Sequence, residues 1–367
     1  MAKIGILATN LAGSGAEKVV LNLARMFSKE GDEVHVFLLE DIISYDTEGV
    51  TLHTLSSNRG FYKALKGVGD KILAARLKKK INALEKNSQK FDMFLSNLPA
   101  ADRVAVAADL PQMYYIIHTS YSMELEEFRK RKQYGRAKRK EELYRRLYEG
   151  KDLIAVSQGI KEDLDVMSIG YRSCQVIYNP FDFDMIRKMA EEKSDLKIEE
   201  EYILSASAFR PVKRYDVLLE AYSKLDNPPP LKLLCNSHPE LVKMIQNFGL
   251  EKQVEILGFT SNPYPVIKNA KLLVLSSERE GLPTVLIEAL ILHTPVVSTN
   301  CKSGPSEILT GELASYLAKI NDPDDLKKTI EKALFKYSKI TNASIEKFNE
   351  KTIFTQYRKL IASEGKY

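Results

Sequence analysis

Short apolar runs alternating with segments of helical period set the plan of this 367-residue chain. Residues 4–8, 34–39, 93–96 and 113–117 are nearly unbroken apolar runs of strand length, the pattern of parallel strands buried on both faces. Between the first two, Val19, Val20, Leu23, Ala24 and Phe27 fall on one face of a helix predicted over about 17–30, which Gly31 ends. Residues 152–156 read as the last strand of this series. The alternation starts again at 201–205 and continues through 231–235, 254–258, 272–275 and 295–299, with helices predicted over 217–225 and from Thr284 onward. Such alternation predicts an α/β fold of doubly wound parallel sheets, and two series in a chain of this length predict two domains.

Composition narrows the class. A hydrophobic content of 44% with 28% charged residues belongs to a globular chain and excludes a disordered one. Cys174, Cys235 and Cys301 stand far apart without metal spacing, which suits inert thiols in a reducing cytoplasm. Neither a cleavable leader nor an apolar run of membrane-spanning length is visible, so the expected location is cytoplasmic. The formal net charge of +5 is unevenly placed: residues 1–180 hold 28 basic and 23 acidic side chains, the remainder 26 of each. Residues 128–148 alone hold ten cations, among them Arg129, Lys130, Arg131 and Lys132, against Glu141 and Glu142. This concentration predicts peripheral attachment to an anionic membrane surface, at the inner face of the cytoplasmic membrane; the alternative is a solvated helix face. A second basic stretch, 62–86, has the pattern of an amphipathic helix, with Leu65, Val68, Ile72, Leu73, Leu77, Ile81 and Leu84 on its apolar side. No nucleic-acid partner is expected, because the aromatic residues of a recognised module do not accompany the cations.

The chemistry concentrates at 276–290, Ser-Ser-Glu-Arg-Glu-Gly-Leu-Pro-Thr-Val-Leu-Ile-Glu-Ala-Leu. A buried strand ends here, Gly281 and Pro283 break the pattern, and a helix starts at Thr284. Strand, turn and helix start place backbone N–H groups and the positive end of a helix dipole together, a place to hold phosphate. Glu280 sits in the turn and Glu288 about two helical turns further on. Two carboxylates beside an anion site need partners other than the anion. Sugar hydroxyls fit, since an ionised carboxylate accepts two of them. The stretch resembles the Glu-x7-Glu signature of retaining glycosyltransferases of family four, whose GT-B architecture sets two Rossmann-like domains facing a cleft.

The resemblance implies a metal-independent, hexosyltransferase-type enzyme with no cofactor. Its donor would be a nucleotide-sugar, a UDP-linked hexose or N-acetylhexosamine, and its acceptor a lipid-linked or lipopolysaccharide-type glycan. Glu280 would hold the donor sugar, Gly281 and Leu282 would bring backbone close to it, Thr284 and Val285 would turn their N–H groups to the diphosphate, and Glu288 would take the ribose. In the loop 206–216, Arg210, Lys213 and Arg214 are three cations before a helix, arranged as a diphosphate clamp. Lys213 matches the family lysine; where the family has an arginine five residues earlier this chain has Ala208, so Arg210 is the substitute. Gly258-Phe259-Thr260 resembles the segment whose backbone reads the nucleobase. Gly15 and Ala16 lie in a loop that does not complete G-x-G-x-x-G, and resemble the loop that approaches the donor diphosphate from the first domain. His118 directly follows the run 113–117, where open sheets place ligands, and resembles the family's cleft histidine. The catalytic set expected is therefore His118, Arg210, Lys213 and Glu280.

Asp182-Phe183-Asp184 has the spacing of a metal-binding triplet, but its place after Asn179-Pro180 and before a helical run predicts a helix cap, and no metal is expected. The domain boundaries read as 1–182, a linker at 183–200, 201–345, and a helix at 346–367 that returns to the first domain. Two other classes share the architecture: a hydrolysing sugar-nucleotide epimerase, for which no spare acid/base carboxylates are visible, and a non-catalytic nucleotide-sugar-binding partner, which Ala208 keeps open.

Overall fold

The computed structural model describes residues 1–13, 15–57, 60, 67–86, 88–196 and 200–364. The chain divides into two compact units, Met1–Phe181 with Asn349–Tyr367, and Asp182–Phe348.

The first unit is built on seven parallel strands: β1 (Lys3–Ala8), β2 (Glu33–Leu38), β3 (Thr51–Thr54), β4 (Met93–Asn97), β5 (Met113–Ile117), β6 (Asp152–Ala155) and β7 (Ser173–Val176). Their order is β3-β2-β1-β4-β5-β6-β7, so the direction of winding reverses between β1 and β4. Every residue of β1, β4 and β5 is buried, which is why their sequences are largely apolar. The helix Gly15–Lys29 lays Val19, Val20, Leu23 and Phe27 into the core. From the second piece of the unit, the helix Glu350–Glu364 packs Phe354 and Tyr357 edge-on against Phe27, at ring-centre distances of 6.0 and 5.4 Å. Arg358 meets the buried Asp32 at 2.6 Å.

The reading that ended the first series at 152–156 is corrected by β7, which extends the sheet by one edge strand. β3 forms the other edge. Both are short and mostly half-exposed, so they carry no apolar run; pairing with β6 and β2 makes them strands. Within the stretch 62–86 the described helix is Val68–Glu85; residues 62–66, Leu65 included, lie outside the described residues. It buries Leu73, Leu77 and Ile81, while Val68 and Ile72 face outward.

The second unit holds β8 (Ile203–Ser205), β9 (Leu231–Leu233), β10 (Val254–Ile256), β11 (Leu272–Leu275), β12 (Val296–Thr299) and β13 (Leu317–Ala318). The order β10-β9-β8-β11-β12-β13 is again parallel throughout, with its reversal between β8 and β11. The helix Phe183–Met189 belongs to this unit: Arg187 Nε donates to Ile291 O at 3.3 Å, and Asn262 Nδ2 donates to Met189 O at 2.8 Å. Asp182 caps that helix, its Oδ1 accepting from Met185 N at 2.9 Å. Among the described residues no helix is long and apolar enough to cross a membrane.

Candidate active site

In a doubly wound sheet the loops leaving the two strands at the reversal diverge, and a crevice opens at their carboxyl ends. In the second unit those are the loops after β8 and β11. The first ends in a single 3-10 turn, Pro211–Lys213; the second leads through the turn at 280–283 into the helix Thr284–Ile291. Two bonds stitch them together: Ser276 Oγ donates to Lys213 O and Glu278 N donates to Val212 O, each at 2.8 Å. Across this seam Lys213 Nζ meets Glu280 Oε1 at 2.5 Å, with side chains 21% and 12% exposed.

The turn is also held from the next loop. Ser303 Oγ donates to Glu280 O at 2.5 Å. Gly304, at φ +93°, lies so close that a Cβ there would come within 2.4 Å of Pro283 Cδ and 3.0 Å of Gly281 O. Only glycine fits. Gly281 and Leu282 are buried, and Thr284 and Val285 are half-buried at a helix start that has no side-chain cap. Glu288 lies on the inner side of this helix, 5% exposed.

The other predicted residues of this unit are spread along the same edge of the sheet. Arg210 is exposed and forms no ion pair among the described residues. Phe259 stands 62% exposed after Gly258, whose φ is +85°, and Thr260 Oγ1 accepts from Asn262 N at 3.3 Å. Arg214, counted from sequence as a third clamp cation, is instead engaged by Asp216 at 2.7 Å, Glu278 at 3.5 Å and Asn321.

In the first unit the strand ends near the reversal carry Asn97, on β4, and His118, after β5, while Gly13 N in the loop after β1 donates to Glu17 at 2.7 Å. Asn97, the last residue of β4, donates from Nδ2 to Leu7 O on β1 at 3.3 Å, which turns its Oδ1 to His118 Nε2 at 2.9 Å. This bonding assigns His118 as the Nε2–H tautomer, with Nδ1 as the acceptor nitrogen. Burial pushes its pKa down to about 4, so the ring is neutral at neutral pH. Asn97 was missed in the sequence, although a polar residue closing a buried strand is the signal that singled out His118. Behind it, Ser96 Oγ and Tyr148 OH donate to Asp102 at 2.6 and 2.7 Å, and burial raises that carboxyl to about 7. Gly15 opens the helix Gly15–Lys29, exposed, with Ala16 half-buried beside it.

Residues 187–351 match the family described as Glycosyl transferases group 1, and residues 13–185 match Glycosyltransferase Family 4. The two matches meet close to the boundary between the units and take in every strand of both sheets except β1. The chain belongs to the group 1 glycosyl transferases. Among relatives of this glycosyltransferase, a Campylobacter jejuni protein named N-acetylgalactosamine-N,N'-diacetylbacillosaminyl-diphospho-undecaprenol 4-alpha-N-acetylgalactosaminyltransferase is 28% identical over 340 residues, 89% of this chain and 88% of that protein. A lipopolysaccharide 1,6-galactosyltransferase of Salmonella typhimurium is 26% identical over 58% of this chain and 61% of its own length. Solved structures establish the GT-B fold: sucrose-phosphate synthase of Thermosynechococcus elongatus superposes with a TM-score of 0.80 at 16% identity, covering 99% of this chain and 100% of that one. Anabaena HepE, in complex with UDP and glucose, does so with a TM-score of 0.74 at 19% identity over 99% and 100%.

The transferase's basic stretch forms the end of the helix Tyr121–Lys130 and the helix Tyr134–Tyr148. Ala137, Tyr144, Leu147 and Tyr148 turn inward. Arg129 and Arg145 pair with Glu141 at 3.0 and 3.8 Å, Arg131 with Glu127 at 2.6 Å, and Lys140 with Glu124 at 3.2 Å. Lys132, Arg136, Lys138 and Arg139 are exposed around Tyr134, itself 65% exposed.

Proposed function

We propose that this glycosyltransferase moves a hexose or N-acetylhexosamine from a UDP-linked donor to a lipid-linked or lipopolysaccharide-type glycan, with retention of configuration and without a metal. The observation that carries the reading is the Lys213–Glu280 pair at 2.5 Å, set at the reversal of the second sheet beside an uncapped helix start. In the reaction, the bond between the anomeric carbon and the diphosphate oxygen breaks and its electron pair leaves with the diphosphate. The acceptor hydroxyl oxygen bonds to that carbon, and its proton passes to the departing diphosphate oxygen.

Negative charge therefore grows on the leaving group, and preorganised donors there usually supply the largest share of catalysis. A lysine ammonium has three N–H donors, so one on Glu280 leaves two for phosphate oxygens. Arg210 and the N–H groups of Thr284 and Val285 add to the same site. Glu280 accepts from donor-sugar hydroxyls, beside the backbone of Gly281 and Leu282, and Glu288 takes the ribose. Phe259 and Thr260 face the base. Gly15, Ala16 and His118 serve from the first unit, His118 at the accepting hydroxyl. The names of the Campylobacter and Salmonella relatives support this acceptor class.

The exposed cations around Tyr134 suit peripheral attachment to the inner face of the cytoplasmic membrane, each adding about 1 kcal/mol near an anionic leaflet. Incubation with a panel of nucleotide sugars, with and without EDTA, tests the donor by release of nucleoside diphosphate. Turnover with UDP-sugars in EDTA is expected; release from none sinks the reading. The product anomer, read by NMR with a lipid-linked acceptor, tests retention. Co-sedimentation with anionic vesicles, lost in salt and on reversing Lys132, Arg136, Lys138 and Arg139 to Glu, tests attachment.

A further inference from the structure

Arg214 is the one residue of the loop after β8 with a left-handed backbone, at φ +49°. An L side chain with a Cβ is strained there, and glycine is not. A residue that keeps a strained conformation needs a compensating set of contacts, and Arg214 has them on three segments. Its Nε and Nη2 fork onto Asp216 at 3.0 and 2.7 Å, its Nη1 reaches Glu278 at 3.5 Å in the loop after β11, and Nη1 also donates to Asn321 Oδ1 beyond β13. The side chain is 24% exposed, and Asp216 and Glu278 raise the guanidinium's pKa. Most of its five N–H donors are thereby committed within the protein, which leaves it poorly placed to hold a ligand phosphate.

Its neighbours are the point. Lys213 precedes it directly, and Glu278 lies two residues before Glu280. The geometry points to Arg214 as a positioning residue, a cross-brace that keeps the Lys213 and Glu280 loops in register through Glu278 and Asn321. The inference rests on the reading of Lys213 and Glu280 as the donor site.

The test compares wild type, Arg214→Gly and Arg214→Lys for donor KM, kcat and melting temperature, with calorimetric binding of UDP as a second readout. Glycine takes positive φ without strain, so Arg214→Gly keeps the turn and loses only the brace. Its kcat/KM is expected to fall by about 100-fold, as for a catalytic group displaced by an ångström, with weaker UDP binding and a melting temperature within a few degrees of wild type. Arg214→Lys should restore little, since the donors of a single ammonium nitrogen cannot span the three segments that the planar guanidinium fork reaches. Should Arg214→Gly fail to fold, Glu278→Gln, which removes one arm only, is expected to show a smaller loss in the same sense. Wild-type KM, kcat and UDP affinity in a folded Arg214→Gly or Glu278→Gln protein overturn the inference. Absence of nucleoside diphosphate release from the wild-type protein overturns the donor reading itself, and this inference with it.

Discussion

The two sheets present different chemistry at the same topological place. Where β8 and β11 part, the carboxyl ends carry an ion pair, Lys213 with Glu280, and further cations beside it. Beside the place where β1 and β4 part, Asn97 ends β4 and a neutral His118 follows the neighbouring strand β5. Doubly wound geometry decides where a ligand can approach, and it does so identically in both units. The side chains at the strand ends decide what kind of ligand that is. A lysine–glutamate pair suits a departing diphosphate, and a neutral imidazole suits a hydroxyl.

Removing Glu280 should break the charged side completely. Glu280→Ala is expected to lower donor-dependent turnover by about 10³-fold while the melting temperature holds within a few degrees, because the side chain sits in a turn and fills no core. Turnover within a few-fold of wild type would show that the charged edge does not handle the donor. Lys213→Ala comes next, with a loss of about 2–4 kcal/mol in kcat/KM, larger than that of Arg210→Ala. Lys213 is already fixed against Glu280, whereas Arg210 is exposed and must be ordered on use. The reverse ranking would transfer to Arg210 the place of the arginine absent at Ala208.

On the uncharged side, His118→Ala is expected to lower kcat by about 10²-fold with donor KM within twofold of wild type, as measured at saturating acceptor. A matching rise in donor KM would erase the division of labour between the two edges.

The smallest expected effect is on stability, and its sign is set by two groups that oppose each other. Asp102 has a native pKa of about 7, far above an unfolded carboxyl, so the native state holds the extra proton and wild-type stability falls as pH rises from about 4 to 7. His118, at about 4, works the other way: stability is lost as pH falls from about 6.5 to 4. Asp102→Asn should therefore gain urea resistance over wild type at pH 8, and the gain should vanish near pH 4. A constant difference across that range would mean that burial does not govern Asp102.

Much of this was legible in the sequence where one strand declares itself. The runs 4–8, 113–117 and 272–275 are buried on both faces, so their hydrophobicity alone located β1, β5 and β11, and with them the strand ends at His118 and Glu280. Of the edge strands only β10 was legible, as the run 254–258; β3, β7 and the two-residue β13 were not, because they owe their existence to a neighbour's backbone. Pairings across long separations were not legible either. Lys213 and Glu280 stand 67 residues apart, and no local pattern says that the 3-10 turn at Pro211–Lys213 brings them together. Arg214 shows the same limit from the other side: counted by composition it is a clamp cation, but its backbone angle and its three acceptors make it a brace.

The first unit is made of two pieces of chain, Met1–Phe181 and Asn349–Tyr367, with the second unit inserted between them. Phe27, on the first helix, is covered by Phe354 and Tyr357, and buried Asp32 is answered by Arg358. During synthesis, at roughly 5–20 residues per second, the second unit has all of its residues while the first still lacks the helix that closes it. The unit begun first is therefore completed last, and between those moments Phe27 and Asp32 are left to water or to a chaperone.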